Sequence, residues 1–183
     1  PVPDSPTADN IADRTNADAN TITNADTGDT YTDIQVALDE ARDGDTLRLG
    51  AGTYESAADP ALVREDDITI TGAGATSVID SNVTVDGDNV EFRDLTIVGE
   101  FTVNGNNVRS QDVDVQANSP GDVTLNGNDA SLTDTSIEKS LAVNGENTRV
   151  SNSNVGGTLS INANNTEVTG TTRGAIAIGA NVD

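Results

Sequence analysis

From Val83 onward, apolar residues come in pairs split by one small or polar residue, and the pairs return at a near-constant interval. Val83-Thr84-Val85-Asp86-Gly87 is followed by Phe101-Thr102-Val103-Asn104-Gly105 and Val123-Thr124-Leu125-Asn126-Gly127. Leu141-Ala142-Val143-Asn144-Gly145, Leu159-Ser160-Ile161-Asn162-Ala163 and Ile176-Ala177-Ile178-Gly179-Ala180 complete the series, with starts 18, 22, 18, 18 and 17 residues apart. Such an interval is too short for two packed helices but holds one coil of a β-solenoid.

Counting the first apolar residue of each repeat as zero, a second inward pair follows at seven and nine: Val90/Phe92, Val108/Ser110, Ala130/Leu132, Thr148/Val150 and Thr166/Val168. A third, at twelve and fourteen, reads Leu95/Ile97 and Val113/Val115, then weakens to Ile137 and Val155 alone. Alternation with period two turns one strand face inward. Three short strands per repeat predict an all-β, triangular parallel coil, with neighbouring coils about 4.8 Å apart. The Asp-Gly and Asn-Gly steps at positions three and four are expected to turn the chain through positive φ.

Upstream, residues 1–30 are polar and rich in small residues, with Val2, Ile11 and Ile22 as the only large apolar ones. They read as an arm, flexible or ordered by lying on something else, ahead of a coil domain over 31–183. A short helix is predicted over 33–42, with Asp33 as N-cap and Ile34, Ala37, Leu38 and Ala41 on one face. Thr46–Leu49 alternates as a strand, 50–52 turns, and Thr53-Tyr54 follows. A loop with Pro60 is expected over 57–67, and Ile68-Thr69-Ile70-Thr71-Gly72 is read as opening the first full coil.

The run Asp33-Ile34-Gln35-Val36-Ala37-Leu38-Asp39-Glu40-Ala41-Arg42-Asp43-Gly44-Asp45-Thr46-Leu47-Arg48-Leu49, then Gly52-Thr53-Tyr54-Glu55, resembles the opening of the pectin-lyase-like, right-handed parallel β-helix superfamily. Ile68 to Gly74 with Val78-Ile79-Asp80 resembles its first turn, and the similarity spans about 33–182. The resemblance implies a single-stranded right-handed parallel β-helix whose N-terminal end is plugged by the helix. It does not imply one activity, because the superfamily includes lyases, hydrolases, epimerases, tailspikes and non-catalytic surface proteins. Its lyases use an arginine or lysine base beside calcium-binding aspartates, and its hydrolases use aspartate clusters with a histidine nearby. This chain has no histidine, and only Asn118-Ser119-Pro120-Gly121 breaks the short coil spacing.

Composition narrows the setting. The 183 residues carry 31 acidic and 9 basic side chains, a net charge of -22, and Lys139 is the one lysine. In molar salt the Debye length falls to about 3 Å, so a dense carboxylate surface is screened. The balance is that expected of a halophile, of haloarchaeal type, or of an acidic secreted protein of a mesophile, and it disfavours nucleic acid as a partner. Without cysteine or histidine there is no disulfide, thiol nucleophile or imidazole base. No run approaches the ~20 apolar residues of a membrane span. A chain that starts Pro1-Val2-Pro3 and contains no methionine is read as processed, with loss of a secretory signal as the expected cause and an extracellular or cell-surface location.

Four sets of residues are candidates for chemistry. Asp94, Asp112 and Asp134, followed by Asn152, share position eleven. Stacked carboxylates could bind calcium, the one cofactor the sequence suggests, or could simply be corner residues. Asn82-Val83-Thr84 and Asn164-Asn165-Thr166 are glycosylation acceptor sequences that an exported chain would present to glycans at Asn82 and Asn164. Asn104, Asn126, Asn144 and Asn162 form an expected amide ladder with a stabilising role. Arg93, Asp94, Arg109 and Asp112 are the nearest approach to a lyase-like patch. Position eight, however, reads Glu91, Arg109, Ser131, Arg149, Glu167, a charge ladder that needs no catalysis.

Nothing amphipathic follows Ile176, Ile178 and Val182, so the last coil is expected to leave unpaired backbone groups. Either a longer natural chain or another molecule would cover it. The arm suits strand addition to a neighbour, and head-to-tail contacts that do not close make filaments. The favoured expectation is therefore a non-enzymatic structural subunit of a halophile surface filament, coat or appendage, self-assembling as a homo-oligomer. The alternatives are a carbohydrate-active module, either a minimal polysaccharide lyase or a glycan binder, and an excised spike or adhesin domain.

Overall fold

A computed structural model describes residues 18–116 and 122–179. The strands stack as a β-solenoid of about six turns with parallel pairing. Three faces run up the stack. The first carries Thr46–Leu49, Thr69–Thr71, then residues 91–93 and 109–111, Ser131–Thr133, Arg149–Ser151 and Glu167–Thr169. The second starts with Gly52–Glu55 under Ser77–Asp80, and the third with Ala61–Val63 under Val83–Val85. Register on the third face follows the repeat: Val83 pairs with Phe101, Phe101 with Val123, Val123 with Leu141, Leu141 with Leu159 and Leu159 with Ile176.

One expectation shifts. The segment 57–67 is not all loop, because Ala61–Val63 is the first strand of the third face, and the first complete coil thus begins at Thr46. Ala61 and Val63 bury their side chains while Leu62 stays half-buried; an alternation one and a half cycles long is too brief to stand out beside Pro60. The described part of the N-terminal segment, from Asp18, is built into the fold. Its strand Ile22–Asn24 pairs antiparallel with both Thr30–Tyr31 and Thr46–Leu49.

Those residues close the lower end together with the helix Ile34–Glu40. Asp33 caps the helix by accepting from Gln35 N (2.8 Å) and Val36 N (3.1 Å). The apolar face Ile34, Ala37, Leu38 and Ala41 is buried against the lowest coil. Several backbone N–H groups of that edge find side-chain partners. Leu62 N–H donates to Gln35 Oε1 at 2.8 Å, and Gln35 Nε2 reaches the Leu62 carbonyl at 3.4 Å, so one side-chain amide imitates a strand. Ala57 N–H donates to Asp33 Oδ2 at 2.9 Å and Asp66 N–H to Asp43 Oδ1 at 3.0 Å. Buried Asn24 joins its Nδ2 to Asp45 Oδ2 at 2.7 Å.

The core is a narrow column. Phe92 and Phe101 meet edge to face at 5.1 Å, and Tyr54 donates its buried hydroxyl to the carbonyls of Thr21 (3.0 Å) and Gly50 (2.8 Å). Burial raises the Tyr54 phenol above its ordinary pKa, which keeps it a donor. Higher up, small hydroxyl residues stand where the lower coils place leucine and valine. Thr135, Ser153 and Thr171 continue the column of Leu95 and Val113. Each donates to the carbonyl two residues back: Thr133 (3.1 Å), Ser151 (2.9 Å) and Thr169 (3.2 Å). The third inward pair therefore does not fade after Val115. It changes to hydroxyls that satisfy themselves locally, and no buried side-chain nitrogen or oxygen among the described residues lacks a partner.

The corners differ from expectation in an instructive way. None of Gly87, Gly105, Gly127 and Gly145 has positive φ. They are glycine because coils touch there: a Cβ on Gly105 would meet the Gly87 carbonyl oxygen, one on Gly127 that of Gly105, and one on Gly145 that of Gly127. In Gly127→Ala the obstruction is backbone and cannot rotate away. The variant is expected to lose on the order of 1–3 kcal/mol or more, read as a lower urea midpoint by circular dichroism. A wild-type midpoint would mean that the coils can separate there at no cost.

Candidate functional site

Left-handed backbone is found at two other columns. Position six holds Asn89, Asn107, Asp129, Asn147 and Asn165, with φ between 56 and 59°. Position eleven holds Asp94, Asp112, Asp134, Asn152 and Gly170, with φ from 51 to 60°. Asp, Asn and Gly are the residues that enter this region most easily. The carboxylate column Asp94-Asp112-Asp134 thus has a backbone reason, and among the described residues no group of three or more acidic side chains converges as a metal site. A column of only Gly, Asn and Asp was a signal available in the sequence at both positions.

The amide ladder is present and directional. Asn104 Nδ2 donates down to Asp86 Oδ1 (2.8 Å), Asn126 to Asn104 (2.9 Å), Asn144 to Asn126 (2.8 Å) and Asn162 to Asn144 (2.9 Å). The middle rungs Asn104, Asn126 and Asn144 must both donate and accept. The base only accepts, which is why an aspartate serves at Asp86. Two residues on lies a second ladder that sequence reasoning missed. There the side-chain oxygen of each coil accepts a backbone N–H from the coil above: Asp43 from Asp66, Asp66 from Asp88 (2.7 Å), Asp88 from Asn106 (2.7 Å), Asn106 from Asn128 (3.0 Å) and Asn128 from Glu146 (2.8 Å). Only an acceptor is required, so carboxylates and amides mix freely in it.

The lyase-like patch does not assemble as an acid–base pair. Arg93 binds Glu91 Oε1 at 2.6 Å rather than Asp94, and Asp112 Oδ2 accepts from Gln111 Nε2 at 3.3 Å. Arg93, Asp94, Arg109 and Asp112 are all exposed. In the position-eight column, Arg149 pairs with Glu167 at 2.8 Å. An open depression of about 370 Å³ lies beside that column, bordered by Asn107, Arg109, Asp129, Asn147, Arg149 and Glu167. Asn82 has both ends of its amide engaged, Nδ2 with Asp59 Oδ1 (2.9 Å) and Oδ1 with Glu100 N–H (2.8 Å). Asn164 is half-buried.

At the upper end, Thr172–Ile178 pairs with Asn154–Ile161 below it, and Glu167–Thr169 with Arg149–Ser151. Ile176 and Ile178 are 47% and 67% exposed, in contrast to their counterparts in the coils below. Val182 lies outside the described residues, as do Asn118 to Gly121. No protein-family model, no curated protein and no solved structure matches this chain.

Ladder direction makes a sharp comparison possible. Asn126→Asp would set a carboxylate oxygen against Asn104 Oδ1 and is expected to cost about 1–3 kcal/mol. Asp86→Asn, at the accepting base, should be close to neutral. Lowering the pH until the new carboxyl in Asn126→Asp is protonated restores a donor and recovers part of the loss. Urea titrations of the two variants at two pH values check this; equal effects would refute a directional ladder.

Proposed function

We propose that the protein is a non-enzymatic structural subunit that builds an extracellular or surface filament, coat or appendage of a halophile. The observation that carries this reading is the inequality of the two ends. At the lower end a helix, an antiparallel strand and three side-chain acceptors meet the backbone edge. At the upper end, among the described residues, Ile176 and Ile178 stand exposed on the outermost strand. An edge that is regular, apolar and in register invites another strand. We take the occupant to be a second copy, contributing residues 1–17, which precede Asp18 at the capped end. Donation from the bottom of one subunit to the top of the next is head-to-tail and does not close on itself.

The acidic surface and the resemblance to the pectin-lyase-like superfamily, which includes non-catalytic surface proteins, support the setting. Carboxylates and amides around the coils would hold water and salt where a mesophilic surface would offer lysine. A second reading, a glycan-binding or minimal lyase module, draws on the depression beside Arg109 and Arg149. It predicts new ultraviolet absorbance on uronate polymers with calcium, which the structural reading does not.

Light scattering and electron microscopy of the full chain in molar salt test assembly. Wild-type protein is expected to form oligomers or filaments. Ile178→Asp and removal of residues 1–17 are each expected to leave monomers. A wild-type chain that stays monomeric over a wide concentration range in molar salt, with or without millimolar calcium, would overturn the assembly reading.

A further inference from the structure

Asn-Gly is the dipeptide most prone to deamidation, because a glycine N–H meets little steric hindrance when it attacks the preceding side-chain amide. In this chain the same dipeptide is dictated twice over. Glycine is demanded by the carbonyl oxygen of the coil below, and asparagine by a ladder whose rungs must donate and accept. Three such steps result, Asn104-Gly105, Asn126-Gly127 and Asn144-Gly145.

Both partners in the reaction are occupied in the folded coil. The attacking nitrogens donate to carbonyls one coil down: Gly105 to Val85 (3.1 Å), Gly127 to Val103 (3.2 Å) and Gly145 to Leu125 (3.1 Å). The three amides are each held by one donated and one accepted ladder bond. Attack requires the glycine N–H to give up its proton and the Asn Cγ to swing toward it, and so requires both sets of bonds to open.

The products do not fit back. Glycine nitrogen bonds to Asn Cγ, ammonia leaves with the amide nitrogen, and water opens the resulting succinimide to aspartate or isoaspartate. Aspartate at a middle rung has no proton to donate, so an oxygen faces an oxygen across the 2.9 Å that separates Asn126 Nδ2 from Asn104 Oδ1. Isoaspartate lengthens the main chain by one carbon between two residues whose N–H groups share a single carbonyl, as Asn126 and Gly127 share that of Val103.

We propose that Asn104, Asn126 and Asn144 are deamidation sites kept silent by the stacked coils. A lasting opening of the stack is then recorded covalently and cannot be reversed. The fold protects residues that the fold itself made vulnerable.

The test holds the wild-type protein folded in molar salt, or unfolded in urea, at the same mildly alkaline pH, and follows each site by peptide mass spectrometry. Conversion at the three sites is expected to be more than about tenfold slower in the folded protein, the factor that 1.4 kcal/mol of opening free energy supplies. Asn89, followed by valine, serves as an internal comparison that should change slowly in both. After return to salt, the fraction that refolds is expected to fall in step with conversion. Equal rates in the two states would overturn the proposal, and so would full refolding of converted chains. Asn126→Asp, made as the ready-formed product, should show the refolding defect without any incubation; unimpaired refolding of that variant would also count against it.

Discussion

Parallel coils stack at the spacing of a β-ladder, about 4.8 Å, and that single distance governs most of the side-chain choices in this chain. At the third-face corner the spacing leaves no room between one glycine and the carbonyl oxygen beneath it. At the neighbouring position it brings each amide within hydrogen-bond reach of the next. Because residue stacks on residue, a column cannot be filled one site at a time. What stands at one level restricts the level above, and polar columns acquire a direction. That explains why aspartate is confined to the base of the amide ladder yet recurs through the backbone-accepting ladder two residues on.

The same spacing shapes the interior. A triangular coil this small encloses a thin core, and the chain fills it unevenly. Tyr54, Phe92, Phe101, Leu95 and Ile97 pack the lower coils, whereas Ala130, Thr135, Thr148 and Ser153 stand in the upper ones. Each buried hydroxyl there returns its proton to a carbonyl in its own coil, Thr148 to Gly145 at 2.8 Å for example. The hydroxyls cost little but contribute little hydrophobic stabilisation. On that ground the upper coils are expected to open locally more easily than the lower ones. Since each coil leans only on its neighbours, opening at the top need not disturb the base.

Much of this was legible in the sequence, for a physical reason. A period-two alternation repeated at a fixed interval leaves few architectures, and the pairing of Val83 with Phe101 and of Phe101 with Val123 follows from aligning the repeats. The helix and its buried face were equally plain. What escaped was the division of labour among polar residues. Asn-Gly suggests positive φ from local propensity alone, yet here the demand for glycine comes from the coil below, and the left-handed residues sit at position six, two past the glycine, and at position eleven. Gln35 could not be picked out as an edge cap, because its partner Leu62 is 27 residues away and lies in a segment without a clear pattern. Thr135 and Ser153 looked like lost core positions because a buried hydroxyl and an exposed one read alike.

In the proposed reading the ends of the stack carry more weight than its faces. Catalysis needs groups whose environment shifts them toward reactivity, held in a cleft that excludes water. The arginines of the candidate patch are exposed, Arg93 is engaged by Glu91, and the depression near Arg109 and Arg149 opens broadly to solvent. Its bordering asparagines already have a conformational task, because Asn107 and Asn147 are left-handed corner residues. The termini of the stack are different. One carries several independent devices that occupy the backbone edge and would oppose strand addition there. The upper strand, with Ile176 and Ile178 exposed, continues the register of the coils beneath it. Under the proposed reading, a stack capped at its helix end and exposed at Ile176 and Ile178 would carry the polarity that a growing linear assembly needs.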